Sequence, residues 1–174
     1  MTSSQKRIGK ELQECMTSPP TGMVITLPSE TDIHHWTVTL AGPPGTVYSG
    51  GTYTLSVSLP ADYPFKAPQV TFATRIYHPN VTNDSVGSIC LGMLKAENWK
   101  PASRVRAVLD AVRQLLVEPN PDDPLEPRIA DEFRSNRREF EKNARSYVAR
   151  YAQQQPQPQP PPSLQQQQQQ PAKK

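Results

Sequence analysis

Two hydrophobic periodicities divide this chain, and their order constrains its fold more than any other feature. Apolar residues alternate with Thr in residues 36–40 and with Thr and Ser in residues 53–59, as in strands that bury one face. Two shorter runs, residues 23–27 and 69–73, also have the composition of strands. The sequence Gly42-Pro43-Pro44-Gly45 is a turn signal between the two alternating segments. The pattern therefore predicts a four-stranded antiparallel meander.

A helical periodicity precedes these strands and returns after them. Residues 4–17 place an apolar stripe on one face and charged residues, Glu11 among them, on the others. Residues 105–116 show the strongest helical pattern, with Ser103 as the expected N-cap. Four prolines between residues 119 and 127 end that helix, and two further periodic segments follow. The sequence thus predicts an α+β fold with an N-terminal helix, a four-stranded antiparallel meander sheet, a long loop and three C-terminal helices. The stripe of the first helix consists of Ile8, Leu12, Cys15 and Met16.

The long loop, residues 77–101, contains the best candidate for a reactive group. Long irregular segments inside compact domains are usually functional, and Cys90 lies here among Gly and Ser. A thiolate forms and breaks thioesters readily, which makes Cys90 a candidate nucleophile. The alternative is a buried structural cysteine. Cys15, on the apolar stripe of the first helix, is predicted to pack in the core.

No histidine is an obvious partner for this thiol. A cysteine-protease mechanism needs a histidine base beside the nucleophile, and the chain has only His34, His35 and His78. The first two precede a strand, and Pro79 directly follows the third, which suits a role in fixing the loop. The absence of a convincing dyad fits a carrier that receives an already activated acyl group.

The composition divides the chain into residues 1–152, which are expected to fold, and a tail, residues 153–174. The tail holds eleven Gln and six Pro, and it is predicted to be extended or disordered. The folded part carries 17 basic and 16 acidic residues, so we expect no nucleic-acid partner. No apolar run reaches transmembrane length, and two cysteines do not make a disulfide framework. We therefore expect a reducing compartment, the cytoplasm or the nucleus. We also expect a monomer without a membrane partner.

Residues 6–151 resemble the ubiquitin-conjugating enzymes over nearly the whole predicted domain. The resemblance rests on His78-Pro79-Asn80, on Cys90 within Gly87-Ser88-Ile89-Cys90-Leu91, and on Trp99-Lys100-Pro101-Ala102. It implies that Cys90 accepts ubiquitin as a thioester from an activating enzyme and that a ligase then directs transfer to a substrate lysine or to its own cysteine. No metal or organic cofactor is implied. Within the motif, His78 and Pro79 are expected to be structural.

Two further residues acquire candidate roles from this resemblance. Asn80 is expected either to donate a hydrogen bond to the oxyanion formed during transfer or only to shape the loop, and both roles can hold. Asp123, in Asn120-Pro121-Asp122-Asp123-Pro124, resembles an acidic gate that orients an incoming lysine ammonium; the alternative is a solvated turn.

The chain also departs from the family pattern. Gly92 stands where lysine-active members commonly have an Asp, and residues 81–86 form a loop about two residues longer than in typical members. Residues 95–101 resemble the subgroup that transfers ubiquitin to a ligase cysteine, although that subgroup usually lacks an acid at the position of Asp123. The preference between lysine and cysteine acceptors therefore stays open.

The resemblance also predicts a surface that binds the activating enzyme and the ligase in turn. Its expected members are Lys6, Arg7, Lys10, Phe65, Pro101 and Ala102. Basic residues on one helix are more often an ordinary solvated face, but an exposed Phe65 between two prolines would be a natural interface anchor. The Tyr63–Pro64 bond is a candidate cis peptide.

Three alternatives remain at this point. The chain could conjugate a ubiquitin-like modifier, since the motif around the cysteine is shared. It could be a non-catalytic ubiquitin-binding variant, although retention of Cys90 with Asn80 argues against this. The Pro-rich tail could act as an adaptor for aromatic grooves.

Overall fold

The computed structural model describes residues 1–153, which comprise four α-helices, one short 3₁₀ helix and four strands. The order of elements confirms the predicted α+β fold. The predicted tail lies outside the described residues apart from Gln153, and the proposed domain boundary stays a prediction. Within residues 1–153, no helix is both long enough and apolar enough to cross a membrane. In chain order the elements are α1 (Ser3–Thr17), β1 (Met23–Thr26), β2 (His35–Ala41), β3 (Thr52–Ser58), β4 (Gln69–Phe72), the 3₁₀ helix (Gly92–Leu94), α2 (Val105–Val117), α3 (Pro127–Ser135) and α4 (Arg137–Tyr151).

The four strands form one antiparallel sheet in the order β1-β2-β3-β4. Each strand buries alternate residues, because successive side chains of a strand point to opposite faces. Val38 of β2 lies opposite Ile25 of β1 and Leu55 of β3, and all three side chains are buried. The apolar face of the sheet belongs to one core that it shares with α1, α2 and α4.

The apolar stripe of α1 differs from the prediction at two positions. Met16 is 48% exposed and contributes little to the core, whereas Glu11, which was expected to face solvent, is only 3% exposed. The Glu11 carboxylate is buried because three donors surround it: Arg7 Nε at 3.1 Å, the Tyr63 hydroxyl at 2.7 Å and Val105 N–H at 2.9 Å. A buried carboxylate is tolerated when it is paired and hydrogen-bonded in this way.

The start of α2 also corrects the sequence analysis. Arg104, not Ser103, occupies the N-cap position, and it makes no side-chain capping bond. The cap is supplied from another helix, since Glu11 Oε1 accepts the hydrogen bond of Val105 N–H. A carboxylate at a helix N-terminus is favoured because the first N–H groups have no partner within the helix.

The irregular segment that carries Cys90 is attached to the edge of the sheet. Ser88 bridges to Thr71 of β4, and Ile89 bridges to Val81. Gly87 permits this attachment: its φ is +65°, and a Cβ at this position would lie 2.0 Å from the Phe72 carbonyl oxygen. Only glycine fits such a close backbone approach at positive φ.

Polar groups of the loop itself hold residues 81–86, the segment that we expect to be longer than in other members of the family. Asp84 Oδ1 accepts hydrogen bonds from the Thr82 hydroxyl and from the N–H groups of Val86 and Gly87. These donors hold the pKa of the Asp84 carboxyl below its usual range. The loop therefore has a defined conformation beside the segment that leads into Cys90.

Candidate active site

Cys90 directly follows the two residues that bridge to the sheet edge and to Val81. Its backbone is fixed, and its thiol is half-buried. The Cys90 N–H donates to the Asn80 carbonyl oxygen over 2.9 Å, and the preceding Ile89 forms the bridge to Val81. Cys15, in contrast, is 1% exposed and packs in the core, as predicted. Because Cys15 is buried and Cys90 is only partly buried, Cys90 is the accessible nucleophile of the two.

His78 and Pro79 shape the backbone below the thiol. His78 is fully buried; its Nε2 donates to the Leu115 carbonyl oxygen over 2.8 Å, and its Nδ1 accepts from Asn80 N–H over 2.9 Å. Because both ring nitrogens are used and burial lowers the pKa of His78 to about 4, this imidazole is neutral near pH 7. The Pro79 carbonyl oxygen accepts from the N–H groups of Leu125 and Glu126. This pair of bonds connects the motif to the loop that carries Asp123.

The Asn80 side chain points into that same loop. Asn80 is 1% exposed; its Nδ2 donates to the carbonyl oxygens of Asn120 at 2.7 Å and Asp123 at 3.0 Å, and its Oδ1 accepts from Asn120 N–H at 2.9 Å. Both amide hydrogens are thus engaged by loop carbonyls. The geometry directly supports the loop-shaping alternative, and an oxyanion bond would require one of these contacts to open.

Asp123 lies beside the thiol and shares one oxygen with two partners. Its Oδ2 is 3.3 Å from Cys90 Sγ and 2.8 Å from Lys95 Nζ. Partial burial, and then the hydrogen bond to Asp123, raise the pKa of the Cys90 thiol, while the positive charge of Lys95 opposes this shift. The Lys95 ammonium in turn holds the pKa of Asp123 below its usual range.

Lys95 is the residue of this site that the sequence analysis missed. It follows the short 3₁₀ helix after Cys90, and its backbone is fixed because its carbonyl oxygen accepts from the N–H groups of Asn98 and Trp99, both at 2.9 Å. The only signal in the sequence was a lysine five residues after the cysteine, with no indication that Asp123 lies opposite. Gly92, two residues after Cys90, has open space around it, since a Cβ there would meet no atom within 4 Å.

The remaining histidines lie away from this group and have other partners. The His34 ring contacts the Leu59 carbonyl oxygen, and the His35 ring contacts Asp32. In residues 1–153, no set of three or more His, Cys, Asp or Glu side chains is arranged to hold a metal ion. The chemistry available at this site is therefore that of a thiol beside a carboxylate–ammonium pair.

The residues of the predicted partner surface lie around α1 and the two loops next to it. Lys6 and Lys10 are exposed and line one shallow groove with Arg7 and Ala102. Arg7 is not free: its Nη1 and Nη2 donate to the carbonyl oxygens of Pro101 and Ser103, which attaches that loop to α1.

Phe65 projects from the neighbouring loop. It is 76% exposed, and the Tyr63–Pro64 bond before it is cis, as the sequence suggested. Trp99 Nε1 donates to the Pro64 carbonyl oxygen over 2.7 Å, so the Phe65 loop is fixed to the segment that follows the active site.

Comparison with known proteins decides the family. The family model described as ubiquitin-conjugating enzyme matches residues 7–148. This chain belongs to the ubiquitin-conjugating enzyme family. It is also 43% identical over 150 residues to ubiquitin-conjugating enzyme E2 14 of Schizosaccharomyces pombe, a match that covers 86% of this chain and 95% of that protein.

Solved structures support the same assignment. The ubiquitin conjugating enzyme E2 domain of Toxoplasma gondii aligns with a TM-score of 0.76 and 36% identity, covering 86% of this chain and 99% of that one. A Plasmodium yoelii protein aligns with a TM-score of 0.80 and 32% identity, covering 89% and 99% of the two chains. The predicted fold and the predicted ubiquitin-conjugating activity are therefore confirmed at the level of the family. Membership in this family implies that ubiquitin, an activating enzyme and ligases are its partners.

Proposed function

We propose that Cys90 is the residue of this ubiquitin-conjugating enzyme that carries ubiquitin. The observation that supports this most directly is the position of the Cys90 thiol, accessible in the irregular segment and in contact with Asp123. In the loading step, the Cys90 sulfur attacks the thioester carbonyl carbon of the charged activating enzyme. A new C–S bond forms at Cys90, which gives up its proton, while the old C–S bond breaks. The released thiolate of the activating enzyme takes up a proton, so the reaction consumes none overall.

A raised thiol pKa is compatible with this reaction. The loading step transfers an acyl group from a thioester to another thiol. The acyl group is already activated, and the leaving group is a thiolate, which departs readily. A resting enzyme whose thiol stays protonated is protected from oxidation and alkylation, because the thiolate is the reactive form. The absence of a histidine base at Cys90 within residues 1–153 is thus consistent with a carrier.

For the transfer step, we propose that Asp123 orients the acceptor amine and that Asn80 acts as a positioning residue for Asp123. Asn80 holds the Asp123 carbonyl and both backbone groups of Asn120, so the carboxylate stays near the thiol. A carboxylate held in this way attracts a lysine ammonium to the thioester. The direct oxyanion role of Asn80 is the competing hypothesis.

For partner binding, we propose that Lys6, Lys10, Phe65, Pro101 and Ala102 contact the activating enzyme and the ligase. The exposed Phe65 ring supplies the apolar anchor, and the two lysines attract an acidic partner and raise its association rate. Arg7 contributes by holding the Pro101 loop. We further propose that the protein acts as a monomer in the cytoplasm or the nucleus, without a membrane or nucleic-acid partner.

Acceptor discharge tests this mechanism. The protein is charged with ubiquitin by an activating enzyme and ATP, charging is stopped, and loss of the thioester is followed with free lysine or free cysteine. We expect Asn80→Asp and Asp123→Ala to retain loading and to slow discharge to lysine more than discharge to cysteine. Failure to charge with ubiquitin, together with charging by a ubiquitin-like modifier and its activating enzyme, would favour the alternative modifier. A folded protein that charges with neither would be a binding variant.

A double variant separates the two roles of Asn80. If Asn80 acts through Asp123, the effects of Asn80→Asp and Asp123→Ala on lysine discharge are not additive, because residues of one network couple. If Asn80 instead donates to the oxyanion, its loss costs about 100- to 1,000-fold by itself, multiplies with Asp123→Ala, and slows cysteine discharge as well.

A further inference from the structure

Glu126 contacts the segment that follows His78 at two points. Its N–H donates to the Pro79 carbonyl oxygen over 3.0 Å, and its Oε1 accepts from the Asn83 N–H over 2.7 Å. Residues 79–83 are therefore held at both ends by this one residue. Its backbone holds the first end and its side chain holds the second.

Asn80 lies between these two contacts and connects the segment to the reacting groups. Its carbonyl oxygen accepts from the Cys90 N–H over 2.9 Å, and its Nδ2 donates to the Asp123 carbonyl oxygen over 3.0 Å. A displacement of Asn80 would therefore change the position of the thiol relative to the carboxylate. Reaction rates depend steeply on such positions, because well-oriented groups react far faster than loosely held ones.

We propose that Glu126 is a positioning residue for ubiquitin transfer to an amine. Its side chain fastens residues 79–83 to the loop that carries Asp123, so that Asp123 stays where it orients the acceptor amine beside the Cys90 thioester. The inference rests on the functions proposed above for Cys90 and Asp123. Glu126 takes no part in the acyl or proton transfer and acts only through the groups that Asn80 holds.

Asn83 is a suitable anchor because two further groups fix it. Its Nδ2 donates to the Tyr147 hydroxyl of α4 over 3.0 Å, and its carbonyl oxygen accepts from Arg75 Nη2 over 3.2 Å. The position of Asn83 is thus set by α4 and by the segment that follows β4. The Glu126 carboxylate links this anchored point to the loop that carries Asp123.

The contact is placed so that its loss should affect the site more than the fold. Glu126 and Asn83 are half-buried, so water can take the place of the carboxylate at the Asn83 N–H. The bond from the Glu126 N–H to Pro79 joins two backbone groups and remains when the side chain is shortened. We therefore expect Glu126→Ala to fold and to load ubiquitin, but to hold Asn80 less firmly.

Single-turnover discharge of the full chain tests this proposal. The protein is charged with ubiquitin by an activating enzyme and ATP, charging is stopped, and loss of the thioester is followed with free lysine or free cysteine. We expect Glu126→Ala to load like the wild type and to transfer ubiquitin to lysine about tenfold more slowly. Transfer to cysteine should slow less, because the attacking group is then a thiol and not an amine that Asp123 orients.

Two matched substitutions separate the hydrogen bond from the charge. Glu126→Gln removes the charge but keeps an oxygen that can accept from the Asn83 N–H, so we expect lysine discharge close to the wild-type rate. Asp131→Ala removes an exposed carboxylate that lines the same groove as Glu126. The bond that Asp131 accepts from the Ser135 hydroxyl is to its backbone carbonyl and remains. We expect this variant to discharge like the wild type.

The double variant of Glu126→Ala and Asp123→Ala provides a readout that a general loosening of the fold would not give. If Glu126 acts through Asp123, the double variant discharges to lysine no more slowly than Asp123→Ala alone, since residues of one network couple. Multiplied effects would overturn the proposal. So would equal slowing in Glu126→Ala and Glu126→Gln, slowing in Asp131→Ala, or a Glu126→Ala variant that loads poorly and slows equally with both acceptors.

Failure of the proposed function is visible separately in the same experiment. A wild type without a reductant-sensitive thioester band would refute the role of Cys90, and unchanged lysine discharge in Asp123→Ala would refute the role of Asp123. Either result would overturn the inference together with the function on which it rests. Slow lysine discharge in Asp123→Ala with a normal rate in Glu126→Ala would overturn the inference alone.

Discussion

The buried carboxylate of Glu11 provides a direct test of how the partner surface is held in place. Glu11 accepts from Arg7 in its own helix, from Tyr63 next to the cis peptide bond, and from Val105 at the start of α2. It therefore joins the three segments from which the proposed partner surface projects. We predict that Glu11→Ala destabilises the protein strongly, because its buried carboxylate is the acceptor for all three segments.

The expected cost follows from the groups that lose their acceptor. Removing one partner of a buried ion pair typically costs about 3–5 kcal/mol. The Arg7 side chain is 29% exposed and keeps its bonds to the Pro101 and Ser103 carbonyls, so water can partly replace Glu11 there. The Tyr63 hydroxyl and Val105 N–H are buried, so water cannot replace Glu11 as their acceptor. We therefore expect about 3 kcal/mol, which corresponds to a decrease in melting temperature of roughly 6–12 °C for a domain of this size.

Urea unfolding of the full chain measures this cost, with Glu14→Ala as the matched control. Glu14 lies on the same helix and pairs with Arg104, but the two side chains are 48% and 51% exposed. Exposed pairs of this kind contribute about 0–1 kcal/mol. If the unfolding free energies of Glu11→Ala and Glu14→Ala agree within about 1 kcal/mol, the buried carboxylate does not hold these segments together, and the reasoning is wrong.

Three further predictions concern the site and its surroundings. Burial lowers the pKa of His78 to about 4 from its ordinary 6.5, so the unfolded chain binds this proton more readily. The contribution of His78 to the free energy of unfolding is fully present above pH 6.5 and decreases by about 1.4 kcal/mol per pH unit down to pH 4. Urea unfolding should show this decrease in the wild type, and His78→Gln should lack it. Asp123→Asn should speed the alkylation of Cys90 by iodoacetamide a few-fold at pH 7.5, and Lys95→Ala should slow it. The reason is that Asp123 raises the pKa of the thiol whereas Lys95 lowers it. If both variants changed the alkylation rate in the same direction, this account of the thiol would be contradicted. Phe65→Ala should change the unfolding free energy by less than about 0.5 kcal/mol but raise the KM for loading from the activating enzyme about tenfold, whereas an unchanged KM would remove Phe65 from the partner surface.

Local patterns were sufficient to predict the elements of the fold. The alternation around Val38 and Leu55 identified β2 and β3, and the stripe from Val105 to Leu116 identified α2, because each pattern matches the geometry of one regular element. The resemblance around Cys90 correctly indicated the family, which the comparisons then established.

What the sequence could not reveal were contacts between residues far apart in the chain. Glu11 is a charged residue of the kind that usually faces solvent. It is buried here because Tyr63 and Val105 supply hydrogen-bond donors from 52 and 94 residues away in the chain. Ser103 is a good capping residue by type, but the Glu11 carboxylate already satisfies Val105 N–H. The pairing of Lys95 with Asp123 across the thiol similarly spans 28 residues of chain. Tertiary contacts determine the burial and the hydrogen-bond partners of such residues, and the local sequence pattern contains no information about them.

The measurement that tests the central claim most directly is the intact mass of the protein after charging with ubiquitin, an activating enzyme and ATP. We predict one added ubiquitin on the wild type, lost on treatment with a thiol reductant, and none on Cys90→Ala. Cys90→Ser should retain an adduct that resists the reductant, since an ester replaces the thioester. Equal loading of Cys90→Ala, or a wild type that is folded but never gains the mass of ubiquitin, would contradict the assignment of Cys90 as the ubiquitin carrier.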